Sequence, residues 1–330
     1  MQIHFKKYAD WVISNYLDNK ESFVVEIGSN DGIMLENFKN EGYNHLGIDP
    51  SSNVVEVARS FGINSIVDFF GYEKSKEIVD RYGLADVVLS ANVMCHLPDL
   101  NDIGKGAYNL LKEDGVLIFE DPYLGDMLEK ISYDQIYDEH VYIFSALSVN
   151  EIFGRSGFEL INLLPQETHG GSMRYVLAKK GRLDINPIVN EVIKAEKDRN
   201  YHLIDTYNKF RVSCEASKER LVRNLDEFKE KGMTVAGYGA TSKSTTILNY
   251  CNIDQGLVGF ISDTTPIKQN KLSPGVHIPV QSYEYFKKNL PDVIFLLAWN
   301  HAKEIIKKEE SLLSKKVNWI THLPNLNIFE

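Results

Sequence analysis

The ten residues Phe23-Val24-Val25-Glu26-Ile27-Gly28-Ser29-Asn30-Asp31-Gly32 constrain this chain more than any other stretch. An apolar run long enough for one buried strand carries an acidic residue near its end, then breaks into a turn with two glycines. Helical spacing follows from Ile33 to Phe38. Glycine at 28 and 32 lets the backbone turn tightly with no Cβ in the way, so a ligand can lie on main-chain N–H groups. A second short strand, His45-Leu46-Gly47-Ile48, ends at Asp49. A carboxylate there can accept both hydroxyls of a ribose.

Strand patterns at 44–48, 63–67, 85–90 and 116–120 alternate with helical ones at 53–61, 72–82 and 101–112. Such alternation predicts an α/β fold with a parallel sheet and right-handed crossovers. An amphipathic helix over 4–19 is expected to cover the sheet edge. Beyond a polar, aromatic segment at 123–144, a helix at 148–154 precedes strands at 158–164 and 172–178. Their loop holds Thr168-His169-Gly170-Gly171, and the two strands read as a terminal antiparallel pair. Asn186-Pro187 opens a helix, and the charged pattern that follows runs to Gly232 as a long helical connector, or as two helices. A second strand–glycine turn–helix starts at Thr234 and reaches Lys243, with further strands at 257–262 (ending at Asp263), 293–298 and 317–321. The expected organisation is therefore a first domain at 1–182, a connector at 183–231 and a smaller α/β domain at 232–330.

Bulk properties exclude several functions. A hydrophobic content of 43% and a charged content of 25% are those of a soluble globular chain. The net charge of −10 argues against a nucleic-acid partner, which needs a basic face. No apolar run approaches a membrane span, and the start has no signal-peptide core. Cys95, Cys214 and Cys251 are too scattered for a disulfide framework or a zinc site. A cytoplasmic protein with no metal is the expectation, and the sequence leaves its oligomeric state open.

Four further pieces can carry chemistry. Asn92-Val93-Met94-Cys95-His96-Leu97-Pro98-Asp99 follows the fourth strand, and Asp121-Pro122-Tyr123 the fifth, at the carboxyl edge where α/β sheets hold ligands. Tyr137-Asp138-Glu139-His140 lies beyond, and His169-Gly170-Gly171-Ser172 sits between the last two strands. A carboxylate beside an imidazole can fix its tautomer and raise its basicity, which suits proton abstraction near neutral pH. In the second turn, Gly237-Tyr238-Gly239-Ala240-Thr241-Ser242-Lys243, the third glycine of a dinucleotide fingerprint is replaced by Ser242. Hydroxyls and a lysine at a helix start suit phosphate better than nicotinamide.

The spacing Glu26-x-Gly28-x-x-x-Gly32 with Asp49 downstream resembles the first motif of the class I S-adenosyl-L-methionine (SAM) methyltransferases. Together with Asn92-Val93 and His96-Leu97-Pro98-Asp99, Tyr137-x-Glu139-His140, His169-Gly170-Gly171-Ser172-Met173-Arg174-Tyr175 and the turn at 237–243, it resembles the sugar-nucleotide C-methyltransferases. Ser262-Asp263, Lys268-Gln269 and Leu297-Ala298-Trp299-Asn300 continue the likeness over nearly the whole chain. These enzymes place a methyl group on C3 of a nucleotide-linked 4-keto-deoxysugar. The resemblance implies a class I Rossmann-like sheet with a terminal antiparallel strand, followed by a smaller Rossmann-like domain for the sugar nucleotide.

It further implies SAM as cofactor, held by Glu26, Gly28, Asn30, Gly32, Asp49 and Asn92. His140 becomes the general base, Glu139 orients or polarises it, and Tyr137 and His96 bind the sugar or the developing oxyanion. His169, Arg174, Tyr238, Lys243 and Lys268 are the expected substrate contacts. The family usually carries a cysteine-rich zinc module ahead of the SAM domain, and this chain starts just after that point. Three other readings share parts of the pattern: an O- or N-methyltransferase of another small molecule, an NAD-dependent oxidoreductase, and a binding-only relative.

Overall fold

The computed structural model describes residues 1–310, 317–323 and 327–329. The chain divides into two compact units. One holds residues 1–124, 141–167 and 171–200; the other holds 125–140, 168–170 and 201–330.

The first unit contains α1 (Gln2–Tyr16), β1 (Phe23–Ile27), α2 (Leu35–Asn40), β2 (Asn44–Asp49), α3 (Ser52–Ser60), β3 (Ser65–Val67), α4 (Tyr72–Tyr82), β4 (Ala85–Ala91), α5 (Leu100–Leu110) and β5 (Leu111–Pro122). After α6 (Leu124–Lys130) it resumes with α7 (Ala146–Gly154), β6 (Phe158–Gln166), β7 (Ser172–Lys179) and α8 (Pro187–Asp198). Its sheet has the order β3-β2-β1-β4-β5-β7-β6. The first five strands are parallel, and β7 runs antiparallel to both β5 and β6. The expected terminal antiparallel pair is present.

Every residue of β1 is buried, as an interior strand covered on both faces requires. Val25 and Ile27 enter the core on one face and Val24 that on the other. Tyr8, Ala9 and Val12 of α1 join Val24 and Ile118 in the second core, so this helix covers a sheet face rather than the edge.

The second unit contains α9 (Ile204–Glu230), β8 (Val235–Tyr238), α10 (Ser242–Tyr250), β9 (Ile261–Ser262), β10 (Lys271–Leu272), β11 (Pro279–Gln281), α11 (Tyr283–Lys288), β12 (Val293–Leu296), α12 (Ala302–Lys308), β13 (Asn318–Thr321) and β14 (Asn327–Phe329). Its strand order is β10-β11-β9-β8-β12-β13-β14, with antiparallel strands only at the two ends. β9 is shorter than the apolar run at 257–262 predicts, because Leu257 and Val258 bond back to the Asp254 carbonyl in a turn. Their side chains still reach the core.

The helical stretch before Gly232 is two helices, α8 and α9. The first ends before Asn200, which adopts a left-handed conformation with φ 59°. Glu196 ties α8 into the first unit, accepting Tyr123 Oη at 2.9 Å and the amides of Ala146 and Leu147 at 2.8 Å each. Those two amides open α7, so a buried carboxylate caps that helix. α9 packs in the second unit through Cys214, Leu221 and Leu225. No described helix is long and apolar enough to cross a membrane.

Candidate active site

At the carboxyl edge of the first sheet, Gly28 turns with φ 68° and donates its N–H to the Ile48 carbonyl at 2.8 Å. Asp49, at the end of β2, accepts the amide of Asn30 at 3.0 Å on one oxygen and that of Ser51 at 2.9 Å on the other. Gly32, with φ 81°, bonds back to the Ser29 carbonyl at 2.9 Å. The glycine turn is thus tied to the neighbouring strand by its own backbone and by a carboxylate.

Glu26 is buried beneath this turn. Burial pushes its carboxyl well above the usual range, and the charges of Asp49 and Asp31 push it further. Among the described residues its Oε2 has no hydrogen-bond partner, and neither has the buried Oδ1 of Asn92. Asn92 adopts φ 57° just beyond β4, where its amide donates to the Glu120 carbonyl at 2.7 Å. Two unmatched acceptors within an acidic edge fit a cationic ligand that brings ammonium and hydroxyl donors, as SAM does.

His96 closes a single 3₁₀ turn at Met94–His96, with Nε2 lying 3.4 Å from Asn92 Nδ2. Beneath that turn, Asp121 accepts the amide of Cys95 at 3.4 Å. Burial pushes this carboxyl up to about 7. Arg174, expected at the substrate, is held inside the first unit. Its Nη2 donates to Glu120 Oε2 at 2.8 Å, and its guanidinium lies 3.6 Å from the centre of the Tyr8 ring. His4 Nε2 meets the other oxygen of Glu120 at 2.7 Å.

In the second unit, a 3₁₀ turn at Tyr133–Gln135 precedes Tyr137 and His140. His140 Nδ1 lies 2.8 Å from the carbonyl oxygen of Gln135, and Nε2 lies 2.8 Å from Tyr137 Oη. A carbonyl oxygen only accepts, so Nδ1 carries the proton. In the neutral ring Nε2 is then the basic atom, and it accepts from the Tyr137 hydroxyl. The orienting group is a backbone carbonyl, a partner that residue type cannot reveal. Glu139, one residue before His140, is exposed.

The second glycine turn repeats the first in its bonding. Gly239 donates to the Ser262 carbonyl at 2.8 Å, and Asp263 accepts Ala240 and Thr265 amides at 2.8 Å each. Lys268 donates to the Ala240 carbonyl at 2.7 Å on this turn and lies 3.7 Å from Asp263 Oδ2. The Nζ of Lys243 is buried and donates to the His169 carbonyl at 2.7 Å, with burial lowering its pKa against the opposing charge of Asp134. Tyr238 donates to Glu309 at 2.8 Å, packed by Phe286 and Trp319. The sequence reading passed over Asp134, Gln135 and Glu309; a polar residue inside a mixed segment gives no local sign of burial.

A family model for the C-methyltransferase C-terminal domain matches residues 167–324, and one for a methyltransferase domain matches residues 2–163. C-methyltransferase NovU from Streptomyces niveus is 33% identical over 323 residues, spanning 97% of this chain and 77% of NovU. This chain belongs to the C-methyltransferase family. The ubiquinone biosynthesis O-methyltransferase of Erwinia tasmaniensis is 30% identical, but over only 33% of this chain and 46% of its own length. A SAM-dependent methyltransferase structure from Anabaena variabilis aligns with TM-score 0.44 and 16% identity, covering 55% of this C-methyltransferase and 86% of its own chain. The methyl donor of this C-methyltransferase is SAM: the matched methyltransferase domain carries the glycine turn, the strand-end carboxylate and the acidic edge that suit it.

Proposed function

We propose that this C-methyltransferase acts on the carbon next to the ketone of a nucleotide-linked 4-keto-deoxysugar, with His140 as general base. The observation that carries the reading is the 2.8 Å contact of His140 Nδ1 with the Gln135 carbonyl, which favours the proton on Nδ1 and leaves Nε2 as the acceptor. Methyl transfer to carbon requires a carbon nucleophile, and a C–H bond beside a ketone is the accessible source once the enolate oxygen is stabilised. Sugar-nucleotide binding in the second unit is supported by its repeat of the nucleoside-type turn, with Asp263 at the end of β9.

Bound SAM supplies an electrophilic methyl group to the carbon so activated. Glu26, Asp49, Asn92 and the main chain at 28–32 would hold it. With substrate bound, the Tyr137 hydroxyl turns from Nε2 to the ketone oxygen and frees the one Nε2 lone pair; the substrate proton then passes to His140 Nε2, and the C–H electron pair moves onto the ketone oxygen. The Gln135 carbonyl stabilises the imidazolium through Nδ1–H. Tyr137 Oη, within 2.8 Å of Nε2, then accepts the new N–H and directs its own proton at the enolate oxygen. The test is solvent deuterium exchange into nucleoside diphosphate-linked 4-keto-6-deoxyhexoses, followed by NMR. His140→Ala is expected to slow exchange at the carbon alpha to the ketone by about 10²-fold or more. Exchange at the wild-type rate in that variant would remove His140 as the base, and failure of wild type on the whole panel would remove the substrate class.

A further inference from the structure

We infer that Trp299 is a positioning residue for the base: through Asp134 it holds the turn whose Gln135 carbonyl sets the His140 tautomer. The inference rests on the reading of His140 as the base. The indole Nε1 donates to Asp134 Oδ2 at 2.6 Å, and both groups are buried. Asp134 and Gln135 are adjacent, so the indole is separated by one peptide unit from the carbonyl that receives Nδ1–H.

Ser132, Asp134 and Gln135 are all fully buried, a costly run of polar side chains for a short turn. The turn is fastened by residues far along the chain within the same unit. Tyr133 packs against Tyr250 and has Oη 3.7 Å from Cys251 Sγ, while Lys130 donates to the Gly170 carbonyl at 2.6 Å. The indole is itself fixed. A Cβ on Gly170 would come within 2.5 Å of Trp299 Cη2, so glycine is needed there for the close approach and for its φ of 89°. Lys243, bonded to the His169 carbonyl beside that glycine, lies 5.7 Å from the centre of the indole ring.

The geometry leaves little slack. The 2.8 Å bond from Nδ1 to Gln135 stops being a hydrogen bond if the turn moves by about 1 Å, and either nitrogen of the neutral ring can then carry the proton. A purely structural tryptophan would affect stability without affecting the tautomer. The two roles are therefore separable by spectroscopy.

The experiment uses the full chain with ¹⁵N-labelled histidine and long-range ¹H–¹⁵N correlation, His140 being assigned by its loss in His140→Ala. Wild type is expected to show the Nδ1–H tautomer at His140. Trp299→Phe, which keeps an aromatic ring but removes the donor, is expected to show a mixture. Its kcat for deuterium exchange into a nucleoside diphosphate-linked 4-keto-6-deoxyhexose should fall 10- to 100-fold, with KM and SAM affinity within about twofold of wild type. Asp134→Asn retains an acceptor oxygen for the indole and should stay within about threefold of wild type, whereas Asp134→Leu should follow Trp299→Phe. The Asp134 pair decides the matter if Trp299→Phe does not fold. A wild-type tautomer and exchange rate in folded Trp299→Phe or Asp134→Leu would overturn the proposal. If His140→Ala exchanges normally, the base assignment fails instead, and the tautomer spectra still report whether Trp299 orients the ring.

Discussion

Asp49 Oδ2 accepts the backbone N–H of Asn30 at 3.0 Å, so the carboxylate that ends β2 also fastens the turn leaving its neighbour β1. Truncation should therefore affect both cofactor contacts and turn order. Asp49→Ala is expected to weaken SAM binding by about 1.5–3 kcal/mol, the scale of hydrogen bonds to a charged group. Isothermal calorimetry checks this, and unchanged affinity would take Asp49 out of the cofactor site.

Gly28 is the tightest point of the same turn. A Cβ there would stand 2.5 Å from Val93 Cγ2, at a φ of 68° that alanine tolerates poorly. Gly28→Ala should cost about 2–3 kcal/mol of stability by denaturant unfolding, combining a clash with left-handed strain. Adding Val93→Ala should relieve the clash and leave about 1–2 kcal/mol of strain. A double variant no better than the single would refute the clash.

Asp121 gives a pH signature of definite sign. Burial lifts its folded pKa from 3.8 to about 7, so the folded chain holds a proton that the unfolded chain releases. Its contribution to stability is complete below about pH 4 and is lost as pH rises toward about 7. Asp121→Asn should therefore gain stability relative to wild type between pH 5 and 8, on the order of 2 kcal/mol. Parallel chemical unfolding curves over that range would contradict the assignment.

Glu120 behaves in the opposite sense. Burial raises the Glu120 pKa, but hydrogen bonds and charges from His4 and Arg174 outweigh it and hold the carboxyl below its usual range. Its stabilisation is present above the ordinary glutamate pKa, about 4.3, and is lost as pH falls through the lower folded value. Arg174→Met should cost about 3 kcal/mol, because it leaves buried Glu120 Oε2 without its cation while His4 still holds Oε1, and Glu120→Gln in addition should restore part of that. Denaturant midpoints of the two variants test this, and no recovery in the double variant would refute the coupling.

Much of the architecture was legible because its signals are local. The glycines of both turns, the acids at 49 and 263 and the alternation of apolar runs each lie within one strand–turn–helix unit, and the parallel sheet with its terminal antiparallel pair followed from them, whereas the strand order came only from the structure. The Leu257–Val258 run misled because an apolar pair suits a buried turn as well as a strand. The side-chain partners were less legible. Arg174, Lys243 and Tyr238 each find a partner far away in the chain, at Glu120, the His169 carbonyl and Glu309 respectively.

The residues by themselves determined the order of elements and the two glycine turns, since backbone preference and hydrophobic period are properties of short segments. Only the tertiary structure decided which long polar side chains are buried against one another and which nitrogen of His140 bears the proton. Those outcomes depend on desolvation and on groups brought together from distant parts of the chain: Gln135 sits beside Asp134, and Asp134 is held by an indole 165 positions further along.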